Sequence, residues 1–173
     1  LDATLTDNYK LHNWKNYEGV KISSDTHCVL HRFNLSGELP AGQRLILRLE
    51  QSAYVTTIYL DGKEINVFWE GFLPIECDLT ESLQGGATHE LMIKVQDHRA
   101  GRDPSGQPVI PLGAMYSYTC GLSGLPRLLT RPALQLGEAF VISDITQRTV
   151  NARALVRNLS TTEFSGTLQY VLN

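Results

Sequence analysis

No stretch of about 18 consecutive apolar residues occurs in this chain, so nothing in it reads as a helical bilayer span. A surplus of one charge is also missing. Fifteen Lys and Arg stand against eighteen Asp and Glu, a net charge of −3. That leaves neither a basic footprint for nucleic acid nor a polybasic handle for anionic lipid, so no nucleic-acid or membrane partner is expected. Cysteine is sparse. Cys28, Cys77 and Cys120 form an odd set without the close pairs of a zinc site, and five scattered His do not supply them. No metal is expected. The glycines offer no phosphate cradle, because Gly85-Gly86 leads into a strand rather than opening a helix. Gly121-Leu122-Ser123-Gly124 has the wrong spacing for a nucleophile elbow. No cofactor is expected either. Helical periodicity is nearly absent.

What is present is strand pattern. Leu45, Leu47 and Leu49 alternate with Ile46, Arg48 and Glu50, a period of two that predicts a strand with one buried face. Val55 to Leu60 is rich in β-branched and aromatic residues, with Thr56, Ile58 and Leu60 on one face. Asp61-Gly62 supplies the positive φ angles of a tight hairpin, so Lys63 to Phe68 is expected to return antiparallel. Gly71 and Pro74 end that strand before a short segment closing at Asp78-Leu79-Thr80. Together these predict a compact meander. Further strands are expected over Thr26 to Leu35, Thr88 to Val95, Ala139 to Ile145, Val150 to Val156 and Leu168 to Leu172. Glu81 to Gly86 reads as a short helical turn or an open loop. Cys28 and Cys77, within apolar strands, read as buried thiols. Trp14 and Tyr17 are expected to pack on the main body.

The central stretch resembles the N-terminal sugar-binding domain of family-2 glycoside hydrolases, the group of β-galactosidases, β-glucuronidases and β-mannosidases. The residues that carry the resemblance are Leu47-Arg48-Leu49-Glu50, Ile58-Tyr59-Leu60-Asp61-Gly62-Lys63-Glu64-Ile65, Gly71-Phe72-Leu73-Pro74-Ile75 and Asp78-Leu79-Thr80, in order and spacing. Gly121 to Pro132 is similar to the last strand of that domain. Arg157-Asn158-Leu159-Ser160 and Ser165-Gly166-Thr167-Leu168 resemble landmarks of the immunoglobulin-like domain that follows it in the family. The expected fold is therefore all-β: an antiparallel jelly-roll sandwich over residues 1–134, then the first strands of an immunoglobulin-like sandwich over 135–173. The strand pattern alone gives a double-sheet sandwich; the choice of jelly roll comes from the resemblance.

The resemblance implies a carbohydrate partner and a catalytic (β/α)₈ barrel downstream in the same parent chain. That barrel would carry the two glutamates of a retaining mechanism. No strand–helix alternation of that kind occurs here, so no catalytic residue is assigned, Glu50, Glu70 and Glu76 included, and Glu50 and Glu76 are read as solvated charges. Some members lend an acid from just before the Gly-Ile-aromatic-Arg motif. Here Met115 to Cys120 contains no acid, and Gly124 and Leu125 stand where the motif has Arg and Asp. The candidates move to the long Gly- and Pro-punctuated segment that begins at Gln96. Asp97, His98, Arg99, Arg102 and Asp103 suit the hydroxyl pairs of a pyranose, while the commoner use of such loop charges is to pair with one another or with a neighbouring domain. Trp69 could offer a stacking face beside Gly71, or pack inward. Tyr116 and Tyr118 raise the same choice.

Three readings follow: an enzyme's non-catalytic fragment, a free-standing carbohydrate-binding module, or an interface-forming β-domain using Val109, Ile110, Leu112 and Met115. The start at Leu1 without Met or leader pattern, and an end inside a strand-like segment, suggest a piece of a longer chain. The compartment, periplasmic, extracellular or cytoplasmic, is left open.

Overall fold

The structure is a computed structural model that describes residues 15–16, 26–69, 71, 73–109, 121–169 and 171. Trp14, Tyr17, Glu70, Phe72, Ile110, Leu112, Met115, Tyr116, Tyr118 and Cys120, for which the sequence raised expectations, lie outside them. Twelve strands are seen among the described residues. They are β1 (Lys15–Asn16), β2 (Thr26–Asn34), β3 (Gln43–Leu49), β4 (Gln51–Ala53), β5 (Val55–Leu60) and β6 (Lys63–Phe68), followed by β7 (Ile75–Asp78), β8 (Thr88–Gln96), β9 (Gly121–Ser123), β10 (Arg127–Pro132), β11 (Leu134–Asp144) and β12 (Thr149–Asn158). The only helical element among these residues is one 3-10 turn, Thr80–Ser82.

The architecture is an antiparallel jelly-roll sandwich. One layer is a five-stranded sheet ordered β1-β2-β8-β5-β6, and the other is a three-stranded sheet ordered β10-β3-β7. Their apolar faces enclose one core. Phe33, Ile58, Leu60, Leu91, Ile93 and Val95 meet Leu45, Leu47, Leu49, Ile75, Cys77, Leu79 and Leu128 there, each at most 7% exposed. Burying an aliphatic side chain of this size stabilises by about 1.5–3 kcal/mol, so this interior dominates the fold. The faces are those that alternation predicted: Thr56, Ile58 and Leu60 all point inward, opposite Val95, Ile93 and Leu91. The thiols of Cys28 and Cys77 are free and buried.

The Asp61-Gly62 hairpin forms as expected. Asp61 has φ 52° and Gly62 φ 78°, the pair of left-handed residues that matches strand twist. Asp61 accepts the Glu90 amide at 2.8 Å and contacts His89 Nδ1 at 2.7 Å, which fastens the tip to β8. The expected meander is corrected. β5 and β6 are neighbours, but β3 and β7 pair with each other in the opposite layer. The turn signals mark where strands stop and not which sheet receives the next one; the break at Gly71 and Pro74 sends β7 to the other layer. Asp78-Leu79-Thr80 is the seam of that layer. Asp78 accepts the Thr80 amide at 3.0 Å, the Thr80 hydroxyl accepts the Leu45 amide at 2.9 Å, and Leu79 is fully buried.

The chain divides into two compact units, Leu1–Leu39 with Leu45–Thr130, and Pro40–Arg44 with Arg131–Asn173. In the second, β11 and β12 form a long hairpin with a bulge between Leu136 and Ala139. Leu136, Ala139 and Val141 share a face with Val156, Ala154, Ala152 and Val150. The opposite face mixes Phe140 and Ile142 with Arg153 and Asn151. The strand expected over Leu168 to Leu172 is not formed by its described residues: Leu168, Gln169 and Val171 lie outside any strand. No neighbouring strand among the described residues is available to complete its hydrogen-bond ladder.

Candidate functional site

The expected loop residues are set by one end of the five-stranded sheet, where β5 starts and β8 stops. Tyr54 donates its amide to the Gln96 carbonyl at 2.9 Å, and Val55 lies opposite Gln96. Beyond Gln96 the chain closes a single tight turn, the Gly101 amide donating to the Asp97 carbonyl at 2.6 Å. Glycine is required at that closure. A Cβ on Gly101 would stand 2.7 Å from Val55 Cγ2 and 2.8 Å from the Asp97 carbonyl oxygen. The segment then folds into a small loop of its own, with Arg102 bridged to Pro108.

Asp97 is the loop's anchor and is 0% exposed. Its Oδ1 accepts the amides of Arg99 at 2.8 Å and Ala100 at 3.3 Å. Its Oδ2 accepts Arg99 Nε at 2.8 Å and Nη2 at 2.6 Å. Burial alone would raise this carboxyl, but the guanidinium and the two amides outweigh it and hold it below the ordinary aspartate range. Asp103 is engaged within its own turn. It accepts the Ser105 hydroxyl at 2.7 Å and the amides of Ser105 and Gln107 at 2.9 Å, bonds that also depress its carboxyl. His98 sets its ring edge-on against Tyr54, centroids 6.2 Å apart, and its buried Nδ1 has no hydrogen-bond partner. Arg99 emerges from the ion pair 44% exposed.

Trp69 follows the last residue of β6, whose Phe68 pairs with Thr56 at this same end of the sheet, and it is 40% exposed. Tyr54, which sequence reasoning passed over, is a principal support of this end. It is buried, contacts His98, and lies where a Cβ on Gly71 would stand 2.7 Å from its ring. The only signal for it in the sequence was an aromatic residue next to a β-branched strand, with a glycine downstream. Asp97, His98 and Arg99 are thus brought together as a unit, Asp103 holds the adjoining loop, and Trp69 belongs to the neighbouring strand end.

Two acids elsewhere on this unit, Glu50 and Glu76, are also occupied. Arg48 bridges Glu50 and Glu76, with Nη1 2.8 Å from Glu76, and Arg127 pairs with Glu50. Hydrogen bonding to Arg48 is the main cause holding the Glu50 carboxyl low. Gly124 has φ +88°, a left-handed conformation that suits glycine and not the Arg of the family motif. Among the described residues no three His, Cys, Asp or Glu side chains are grouped to hold a metal ion. Chemically, the loop surface carries the guanidinium groups of Arg99 and Arg102 beside the half-exposed Asp103, while Asp97 is withdrawn beneath Arg99.

No family model and no curated protein matches the chain. Solved structures do. An FMN-binding β-glucuronidase from Faecalibacterium prausnitzii L2-6 aligns over 77% of this chain and 21% of its own, with TM-score 0.60 and 20% identity. A β-glucuronidase from an uncultured Clostridium aligns over 76% of this chain and 24% of its own, with TM-score 0.54 and 23% identity. This chain has the fold of one part of such enzymes. A β-glycosidase from Bacteroides vulgatus shares it across 87% of this chain and 19% of its own, with TM-score 0.56 and 14% identity. The chain therefore spans about a fifth to a quarter of the length of these three glycosidases. At such identities the likeness is one of fold. It falls on the same group of enzymes as the motif resemblance read from the sequence.

Proposed function

We propose that this chain is a non-catalytic sugar-facing scaffold of a family-2 glycoside hydrolase, and that the parent enzyme cleaves β-linked terminal sugars with retention. The supporting observation is the five-on-three jelly roll shared with solved β-glucuronidases and a β-glycosidase, joined to motif residues that follow the family's order. Cleavage with retention needs two carboxyl groups about 5 Å apart, one acting as nucleophile and the other as acid then base. The acids of the described loop and strand ends are instead committed to arginines and backbone amides. In this reading the chemistry belongs to a barrel carried by further polypeptide of the same parent, and carbohydrate is the partner of the assembled enzyme. Of Asp97, His98, Arg99, Asp103 and Trp69, the exposed Arg99 and Trp69 would meet sugar, with Asp97, His98 and Asp103 positioning the loop.

Residues 135–173 would be the first part of an immunoglobulin-like domain. One face of the β11–β12 hairpin is almost wholly apolar, with Leu136 63%, Val141 66% and Val150 48% exposed. Such a face suits the inner side of a sandwich. A second reading, a free-standing carbohydrate-binding module, draws on the same fold and on the donor-rich loop.

Assaying the purified 173-residue chain with aryl β-glucosides, β-galactosides and β-glucuronides should give no turnover. Hydrolysis by the pure chain would refute the scaffold reading. A version extended at its C-terminus to the length of the matched enzymes should hydrolyse at least one of these substrates with retention; silence of the extended form would favour the free-standing module.

A further inference from the structure

Asp61-Gly62 is the chain's single Asp-Gly pair, and there is no Asn-Gly. Such a pair carries its own reaction. The Gly62 nitrogen can attack the Asp61 carboxylic acid at Cγ. The N–Cγ bond forms, a Cγ–O bond breaks, and the amide proton leaves with the hydroxyl as water. Water then reopens the cyclic imide at either carbonyl. Attack at Cγ restores aspartate. Attack at the main-chain carbonyl leaves the backbone running through Cγ, an isoaspartyl residue of unchanged mass. Glycine favours the first step because it puts no side chain beside the attacking nitrogen.

Both residues are exposed at the tip of the β5–β6 hairpin. A Cβ placed on Gly62 would meet nothing within 4 Å, so the tip stands clear of its neighbours. What opposes the ring is the way the carboxylate is held. Oδ1 accepts the Glu90 amide at 2.8 Å, and Oδ2 lies 2.7 Å from His89 Nδ1. A carboxylate only accepts, so Nδ1 carries the proton of that bond. The Asp61 amide donates to the Glu90 carbonyl at 2.8 Å, which ties the main chain to the same strand. His89 is itself fixed. It is 1% exposed, its ring centroid lies 5.5 Å from that of Phe33, and its Nε2 accepts the Gln84 amide at 3.3 Å.

Cyclisation needs the neutral acid, and a carboxyl free to rotate onto the Gly62 nitrogen. The contacts to β8 oppose both. Burial by itself would raise the Asp61 carboxyl, but the Glu90 amide and His89 outweigh it and hold it below the ordinary aspartate range. Rotation would break both hydrogen bonds to the charged group.

We propose that Asp61-Gly62 is a site of spontaneous aspartyl isomerisation, and that His89 and the Glu90 amide latch it in the folded chain. Such a latch works whether or not a sugar binds. Isomerisation adds a methylene to the main chain of a tight turn at φ 52° and 78°, so it would unfasten the hairpin tip from β8.

The test is warm storage of the intact chain at mildly acidic pH, native and in guanidinium chloride. Trypsin then releases the peptide Leu49–Lys63. Isoaspartate in it is measured by chromatography and by methyl transfer from S-adenosylmethionine with an isoaspartyl methyltransferase. The denatured chain should isomerise at least about tenfold faster than the native one. His89→Leu removes the donor and should speed the native reaction about tenfold, beyond what its unfolded fraction explains. That fraction comes from denaturant titration, so a variant that folds poorly still reports. Gly101→Ala disturbs the opposite end of β5 and leaves the latch intact, so its rate should follow its unfolded fraction alone. Equal rates in the native and denatured chain would overturn the latch. So would a His89→Leu rate that its unfolded fraction fully explains. No isoaspartate in the denatured chain would remove the site altogether.

Discussion

Replacing Asp97 by Asn keeps the shape of the side chain and removes its charge. The remaining oxygen still accepts the amides of Arg99 and Ala100. The new NH2 group, however, sits where Oδ2 now accepts Nε at 2.8 Å and Nη2 at 2.6 Å, so donor faces donor. Arg99 must leave. Losing one partner of a buried ion pair costs about 3–5 kcal/mol when the other stays buried. Arg99 is 44% exposed and can turn into water, which puts the expected cost near the lower end, about 3 kcal/mol. For a domain of this size that is roughly a 10 °C fall in Tm. Asp97→Ala should cost more, because it also strands two buried amides at about 1–3 kcal/mol each. Urea denaturation followed by circular dichroism at pH 7 measures both. The carboxyl is held below its ordinary range in the folded state. Its contribution is therefore complete above the unfolded value of about 4 and is lost as the pH falls through the lower folded value. The gap between the unaltered chain and Asp97→Asn should narrow in acid. An Asn variant within about 0.5 kcal/mol of the original, or a gap that widens below pH 4, would refute the anchoring role.

Asp61→Asn should keep the turn, since Asn tolerates positive φ, yet lose the charged contact to His89; about 1 kcal/mol is expected for this half-exposed group, read from urea midpoints, with Asp61→Ala costing more at φ 52°. No loss in either variant would contradict the fastening of the hairpin tip. Gly101→Ala should lower stability by about 2–3 kcal/mol, because the contacts at 2.7 and 2.8 Å involve a packed side chain and a carbonyl; a neutral thermal melt would argue against the tight closure. Burial pushes the Cys77 thiol up to about 11 and raises that of Cys28, so alkylation at pH 8 should spare both until urea is added. Peptide mass mapping that finds either one modified in the folded chain would contradict their burial.

How much of this was legible beforehand depended on the range of the interaction. Alternation over Leu45, Leu47 and Leu49 and the Asp61-Gly62 pair are local, and they fixed faces and a hairpin to within a residue or two. Strand partnership is not local. β7 joins β3 across the 25 residues between Leu49 and Ile75, and β8 inserts between β2 and β5; periodicity carries no term that selects the sheet. The segment at Leu168 had the composition of a strand, but among the described residues no neighbour pairs with it.

The loop shows the same division in chemical terms. Its composition singled the stretch out, because charged residues punctuated by Gly and Pro have few structural duties that periodicity can explain. Composition could not say which charges face water. Carboxylates and guanidinium groups are both polar on any scale, and burial was decided by the turn from Asp97 to Gly101, which places one acid beneath its own arginine and two amides. A site that the sequence offered as carboxylates and arginines together for sugar hydroxyls has, once folded, its first acid withdrawn beneath Arg99 while Asp103 stays half-exposed. What this loop shows to solvent is accordingly decided by how Asp97 is buried, which no count of its charges could give.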